Sequence, residues 1–226
     1  MNQKLEKTSQ YHLLILRMAN RISVLHDSEP LLHTSIGTIT DTDRSGLTWE
    51  KAERFFSMPF NPKTTKAFRE YKRITDLQIE DIRDQILAVA IDIDGTIVPY
   101  ESTEVTEEVA TLILEIKNRF KAVCFYSNNP NHRDYFGGLP VSVAKHVPAK
   151  PDPQGFEAVR GLYLGDAPPH ACAMIGDNYV TDGGCREAGW KYIHVNPVPG
   201  KEGIFHKSAR GIGSAVAKTH KLLFQK

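Results

Sequence analysis

Ile86-Leu87-Ala88-Val89-Ala90-Ile91-Asp92-Ile93-Asp94-Gly95-Thr96 is the stretch that decides the fold. Its first six residues are apolar without interruption, the pattern of a strand covered on both faces rather than one with a wet side. The run then delivers two carboxylates one residue apart, Asp92 and Asp94. Gly95 follows, and its missing Cβ lets another backbone or a ligand approach closely. Open parallel sheets bind ligands at the carboxyl ends of their strands, so these acids mark an edge to examine.

Working outward, Thr106 is a natural N-cap, with Glu107 and Glu108 in the first turn where carboxylates suit the helix dipole. Val109, Leu112, Ile113, Ile116 and Phe120 then form the stripe of one buried helix face. A second strand, residues 122–126, breaks at Ser127-Asn128-Asn129-Pro130. A weaker third run surrounds Val141 and Val143. Asp152-Pro153 opens a helix with Pro at its first position, and Phe156, Val159 and Tyr163 can face inward. Residues 171–175 read as a fourth strand and 192–195 as a fifth. The alternation predicts an α/β fold, a Rossmann-like, doubly wound and mostly parallel sheet of five strands. Residues 86–226 make up that domain, and residues 1–85 read as an N-terminal extension or accessory subdomain. Within the extension, Leu14, Met18, Ile22 and Leu25 have helical spacing.

The 226 residues are 41% hydrophobic and 24% charged, which excludes a disordered or fibrous chain. Twenty-eight basic against 27 acidic residues leave a net charge of +1, so no electrostatic case exists for nucleic acid. No apolar run approaches the length of about 20 residues that a membrane span needs, and no signal-peptide core is visible. The expectation is a soluble, cytoplasmic protein. Cys124, Cys172 and Cys185 lack metal-type spacing and read as reduced structural residues. A cysteine phosphatase would need Arg six positions after its nucleophile, where this chain has Pro130, Asn178 and Lys191.

Several segments converge on the same sheet edge. Asp92 and Asp94 end one strand, and Ser127 and Asn128 end the next with a hydroxyl and an amide able to hold phosphate oxygens, as Thr96 can. Lys150 offers a fixed cation before the Pro153 helix. Asp177 ends the fourth strand, with Asp182 shortly after. Taken singly, each has a bland reading: a polar turn, a solvated lysine, a helix cap. An EF-hand loop starting at Asp92 fails, because its sixth and twelfth places hold Ile97 and Thr103. Asp41-Thr42-Asp43-Arg44-Ser45-Gly46 fits such a loop better at its start but has Ala52 at the twelfth place, leaving an Asx-turn loop as the plainer reading. Chemically, a phosphate monoester is a dianion, and an attacking carboxylate adds a third negative charge. An oxygen-rich site holding Mg²⁺ answers that repulsion, and a carboxylate, ionised near neutral pH, needs no activating base.

The order and spacing of these four motifs resemble the haloacid dehalogenase superfamily of aspartyl-phosphate phosphatases, over about residues 86–195. The resemblance implies Asp92 as nucleophile and Asp94 as general acid and base. It also implies Ser127 and Lys150 on the phosphate, and Mg²⁺ held by Asp92, Asp177 and the backbone carbonyl of Asp94. Asp182 would hold Lys150 or support the metal shell.

Neither the interval from Asp92 to Ser127 nor that from Ser127 to Lys150 can hold a separate cap module, which seldom folds below about 40 residues. Ser127-Asn128-Asn129, Ala149-Lys150-Pro151 and Gly176-Asp177 with Thr181-Asp182-Gly183-Gly184 are most similar to the capless branch containing phosphatidylglycerophosphate phosphatases. Gly95 stands where that branch commonly has Asn. The resemblance implies a lipid head-group phosphate as substrate and an enzyme working at a membrane surface. Phe55, Phe56, Met58 and Phe60 with Lys63 and Lys66 could make that peripheral contact or pack under the sheet. The alternatives are a soluble-metabolite phosphatase and a non-catalytic binding protein with the same fold. His132, His146 and His170 lie near the proposed loops, with no role fixed by the sequence.

Overall fold

The structure, a computed structural model, describes residues 53, 56, 57, 65–132, 135–200 and 204–224. The helical pattern at 13–25, the loop at 41–46 and most of the aromatic patch lie outside the described residues. Five strands form one sheet: β1 (Arg69–Tyr71), β2 (Ala88–Ile91), β3 (Ala122–Phe125), β4 (Cys172–Gly176) and β5 (Lys191–Val195). Their order is β1-β5-β4-β2-β3, and every pairing is parallel. Among the described residues the sheet is accompanied by the helices α1 (Glu107–Arg119), α2 (Pro153–Tyr163) and α3 (Ile204–Phe224). The expected α/β architecture is present.

Local signals explain the helix starts. The Thr106 side chain accepts the Val109 amide, and Asp152 accepts that of Gln154 at 2.8 Å with Pro153 at the first helical position. Alternation along the strands then divides the core in two. Val89, Ile91, Ala173, Ile175, Ile193 and Val195 pack with Val109, Ile113 and Ile116 of α1. Ala88, Ala90, Cys172, Met174 and Tyr192 pack with Phe156 and Val159 of α2 and Ala217 of α3. Because successive side chains on a strand point to opposite faces, α1 covers one face and α2 the other. All four residues of β2 are fully buried, which accounts for its unbroken apolar run. The three cysteines are buried and form no disulfide.

Two elements differ from expectation. The run around Val141 and Val143 makes only isolated bridges, Phe125 with Val143 and Tyr135 with Ser142. The fifth strand is instead β1, inside the segment expected to be an extension. Arg69-Glu70-Tyr71 is short, charged and mostly exposed on the sheet edge. It therefore carries no apolar alternation to reveal it.

The strand order places the functional edge. From β2 the chain passes through α1 to β3 on one side, then returns through α2 to β4 on the other. The crevice between β2 and β4 is thus a topological switch point, where open α/β sheets bind ligands. Among the described residues no folded module interrupts the chain between β2 and α2, so this edge carries no inserted cap. No helix among them is long and apolar enough to cross a membrane.

Two predictions concern the core. Phe156 is fully buried and meets Tyr126 and Trp190 edge-to-face at 5.3 and 5.5 Å. Phe156→Ala should cost about 3–5 kcal/mol, read as a lower urea midpoint. His194, buried on β5, has its imidazole pKa pushed down from 6.5 to about 4, chiefly by burial. The unfolded chain therefore binds this proton more readily. The contribution of neutral His194 to stability is complete above pH 6.5 and is lost as pH falls towards 4. In His194→Gln, denaturation midpoints measured between those limits should fall less steeply with acidification than in the wild type.

Candidate active site

The carboxyl ends of β2, β3 and β4 bring the sequence-predicted residues together around one buried cation. Lys150 is 2% exposed. Its Nζ lies 2.8 Å from Asp92 Oδ1 and 2.6 Å from Asp182 Oδ1. Burial pulls the ammonium pKa down, but the two carboxylates outweigh it and hold the group charged, above its ordinary value. The backbone is fixed as firmly as the side chain. Asn128 donates from Nδ2 to the Lys150 carbonyl and accepts the Lys150 amide on Oδ1, both at 2.8 Å. Asn128, expected to hold substrate, thus spends its amide on positioning the lysine.

Asp182 follows β4 by one turn and is buried. Its Oδ1 takes Lys150 and its Oδ2 the Asn178 amide at 3.0 Å. Of its two sequence-stated roles, the hydrogen bonding matches that of holding Lys150. Gly176 permits this packing, since a Cβ there would lie 2.3 Å from the Asp182 carboxyl carbon. That contact gives the Gly176-Asp177 pair its steric reason.

Asp92, Asp177 and Asp182 place one carboxylate oxygen each within 4.8 Å of one another. Asp177 is fully buried; Tyr100 and Arg210 donate to its Oδ2 at 3.2 and 3.1 Å. Its Oδ1 is buried with no hydrogen-bond partner. A bare buried carboxylate oxygen is costly, and a hard cation is what an all-oxygen cluster of this kind suits. The donor set therefore fits Mg²⁺. Burial and the neighbouring Asp182 push Asp177 up to about 7, against the pull of Arg210. Asp92 is likewise driven well above its ordinary value, first by burial and then by Asp182 and Asp177, with Lys150 pulling the other way. Both shifts have burial as their first cause, with neighbouring carboxylates adding to it and the basic groups opposing it.

Asp94 stands apart from the cluster. Its Oδ2 receives Ser127 Oγ at 3.1 Å and lies 2.8 Å from His132 Nε2. Burial raises its pKa, but the hydrogen bonds from His132, Ser127 and Asn129 outweigh it and hold the carboxyl below its ordinary value. Thr96 is fully buried with its hydroxyl unpartnered, away from solvent and from any hydrogen bond. Gly95, at φ 81°, turns the chain in the left-handed region between the two acids and Tyr100.

Sequence reasoning named His132 without a role and missed Tyr100 and Arg210. His132 sits five residues after Ser127 in a loop without periodicity. Tyr100 and Arg210 reach Asp177 across 77 and 33 residues of chain, contacts that no local pattern encodes. Comparison of the chain with protein-family models, curated proteins and solved structures finds no match.

Removing the central cation tests this geometry. Lys150→Met would leave Asp92 and Asp182 facing each other, buried and uncompensated. A loss of about 3–5 kcal/mol is expected at neutral pH, measured by urea denaturation. Asp92→Asn in the same background should recover part of it.

Proposed function

We propose that the protein is a Mg²⁺-dependent phosphomonoester hydrolase working through an aspartyl phosphate on Asp92, as its resemblance to the haloacid dehalogenase superfamily implies. The observation that carries this reading is the buried lysine bridging Asp92 and Asp182 beside a third carboxylate with an unbonded oxygen. The placement of Asp92 and Asp177 directly after β2 and β4 supports it. Asp92 has Oδ1 on Lys150, and its Oδ2 makes no hydrogen bond among the described residues. Oδ2 attacks phosphorus as the ester P–O bond breaks, and Asp94 gives its proton to the departing alkoxide. Asp94 then takes a proton from water, which attacks phosphorus, releasing inorganic phosphate and restoring the Asp92 carboxylate.

Asp92 and Asp177, with the backbone carbonyl of Asp94, would hold the ion. When bound, it offsets the charge of the attacking carboxylate and the phosphate dianion. Lys150 would neutralise a phosphate oxygen, and Ser127 would donate to another. At rest Asp94 is ionised, as its hydrogen bonds dictate. The arriving dianion raises its pKa through like-charge repulsion, so that Asp94 takes up a proton from solvent as substrate binds and can give it to the leaving alkoxide. His132 and Ser127 hold it in orientation.

A sheet edge without an inserted cap suits a large or surface-anchored ester. The terminal phosphate of a lipid phosphoglycerol head group is the favoured substrate, with peripheral rather than spanning membrane contact. Hydrolysis of such a lipid in mixed micelles should exceed that of small sugar, nucleotide and amino-alcohol phosphates. The reverse ranking would make the protein a soluble-metabolite phosphatase. Asp92→Asn should abolish turnover with an unchanged circular dichroism spectrum, and Asp94→Asn should slow it by about 10²–10⁴-fold. Chelation should stop the wild type and added Mg²⁺ restore it. Undiminished hydrolysis by Asp92→Asn, or in excess chelator, would contradict the mechanism.

A further inference from the structure

We propose that Arg210, on the C-terminal helix α3, is a positioning residue for the cation site: together with Tyr100 it clamps one oxygen of Asp177 and so presents the other to the ion. The inference rests on reading the carboxylate cluster as a divalent-cation site. It starts from an asymmetry within a single carboxylate. Asp177 Oδ2 receives the Tyr100 hydroxyl at 3.2 Å and Arg210 Nη1 at 3.1 Å, whereas Oδ1, equally buried, receives no hydrogen bond. A side chain bonded at one oxygen by two donors has little rotational freedom left. Its second oxygen is thereby held in a fixed direction, on a carboxylate that groups with those of Asp92 and Asp182.

The two donors come from distant parts of the chain and brace each other. Tyr100 lies on the β2–α1 connection, and the Arg210 guanidinium sits 5.8 Å from the centre of its ring. Gly95 makes room for them. A Cβ on that residue would fall 2.8 Å from Asp177 Oδ2 and 2.5 Å from the Tyr100 ring. The segment leading to α3 is tied to the same turn, since the Val198 amide donates to the Gly95 carbonyl at 2.8 Å. The planar fork of arginine suits this task, because one nitrogen can bond the carboxylate while the plane packs beside an aromatic ring. Groups that hold metal-ligating carboxylates in this way typically change metal affinity 10–100-fold when removed. The competing possibility is that Arg210 blocks the ion and must leave, in which case its removal would tighten binding.

Isothermal titration calorimetry with MgCl₂ on the full chain separates the outcomes, with thermal melts in chelator to establish folding. Arg210→Gln and Tyr100→Phe should each weaken Mg²⁺ binding by about 10-fold or more, and Arg210→Lys, which keeps the charge but not the fork, should fall between Gln and wild type. If Arg210→Gln does not fold, Arg210→Lys and Tyr100→Phe carry the test alone. Unchanged or tighter Mg²⁺ binding in the folded variants, with normal binding by the wild type, would overturn the clamp and leave the phosphatase reading standing. No Mg²⁺ binding by the wild type would overturn both.

Discussion

One ammonium group organises the functional edge. Taking Lys150 and its two carboxylate partners out of water costs several kcal/mol per ion, and short, multiply bonded geometry is what offsets such a cost. The fold supplies that geometry from four directions. β2 presents Asp92, and the turn after β4 presents Asp182 against Gly176. Asn128 at the end of β3 pins the lysine backbone. The Tyr126 hydroxyl bonds the Pro148 carbonyl at 2.6 Å, fixing the approach to Lys150, and the Tyr126 ring lies 5.4 Å from the ammonium. None of these segments could hold the charge alone.

The same cluster holds more acidic than basic groups. Three buried carboxylates, Asp92, Asp177 and Asp182, face two basic groups, Lys150 and Arg210. Burial first, and then the carboxylate neighbours, raise Asp92 and Asp177, and one oxygen of Asp177 is bare. A substrate carrying two more negative charges would add to the acidic excess. In the proposed chemistry the divalent ion and the lysine divide this burden, while Asp94, outside the cluster, stays available for proton transfer. Two hydrogen bonds, from Ser127 and His132, hold Asp94 Oδ2.

Much of this was legible in the residues. The apolar run of β2, the Thr106 and Asp152 caps and the α1 stripe are local signals, and the structure uses each as local physics requires. Asp92 and Asp177 could be picked out because strands end at them, Lys150 because it precedes the Asp152-Pro153 helix start, and Asp182 because it closely follows Asp177. What escaped has equally physical reasons. β1 is an exposed edge of three residues that buries too little to leave a pattern. The run at Val141 and Val143 is apolar because it is buried, yet it forms only bridges. Asn128 has the chemistry of a phosphate ligand but is consumed by a backbone clamp. Arg210 and Tyr100 act across long stretches of chain, where sequence carries no distance information.

The central claim is that the Asp92 carboxylate forms a transient bond to the phosphoryl group. Rapid quenching during turnover, followed by borohydride reduction, converts an aspartyl phosphate to homoserine, and peptide mass mapping locates it. Homoserine is expected at residue 92 and nowhere else, appearing only when substrate and Mg²⁺ are both present. Reduction at another acidic residue, or none at all under conditions where a known aspartyl-phosphate enzyme is captured, would contradict it.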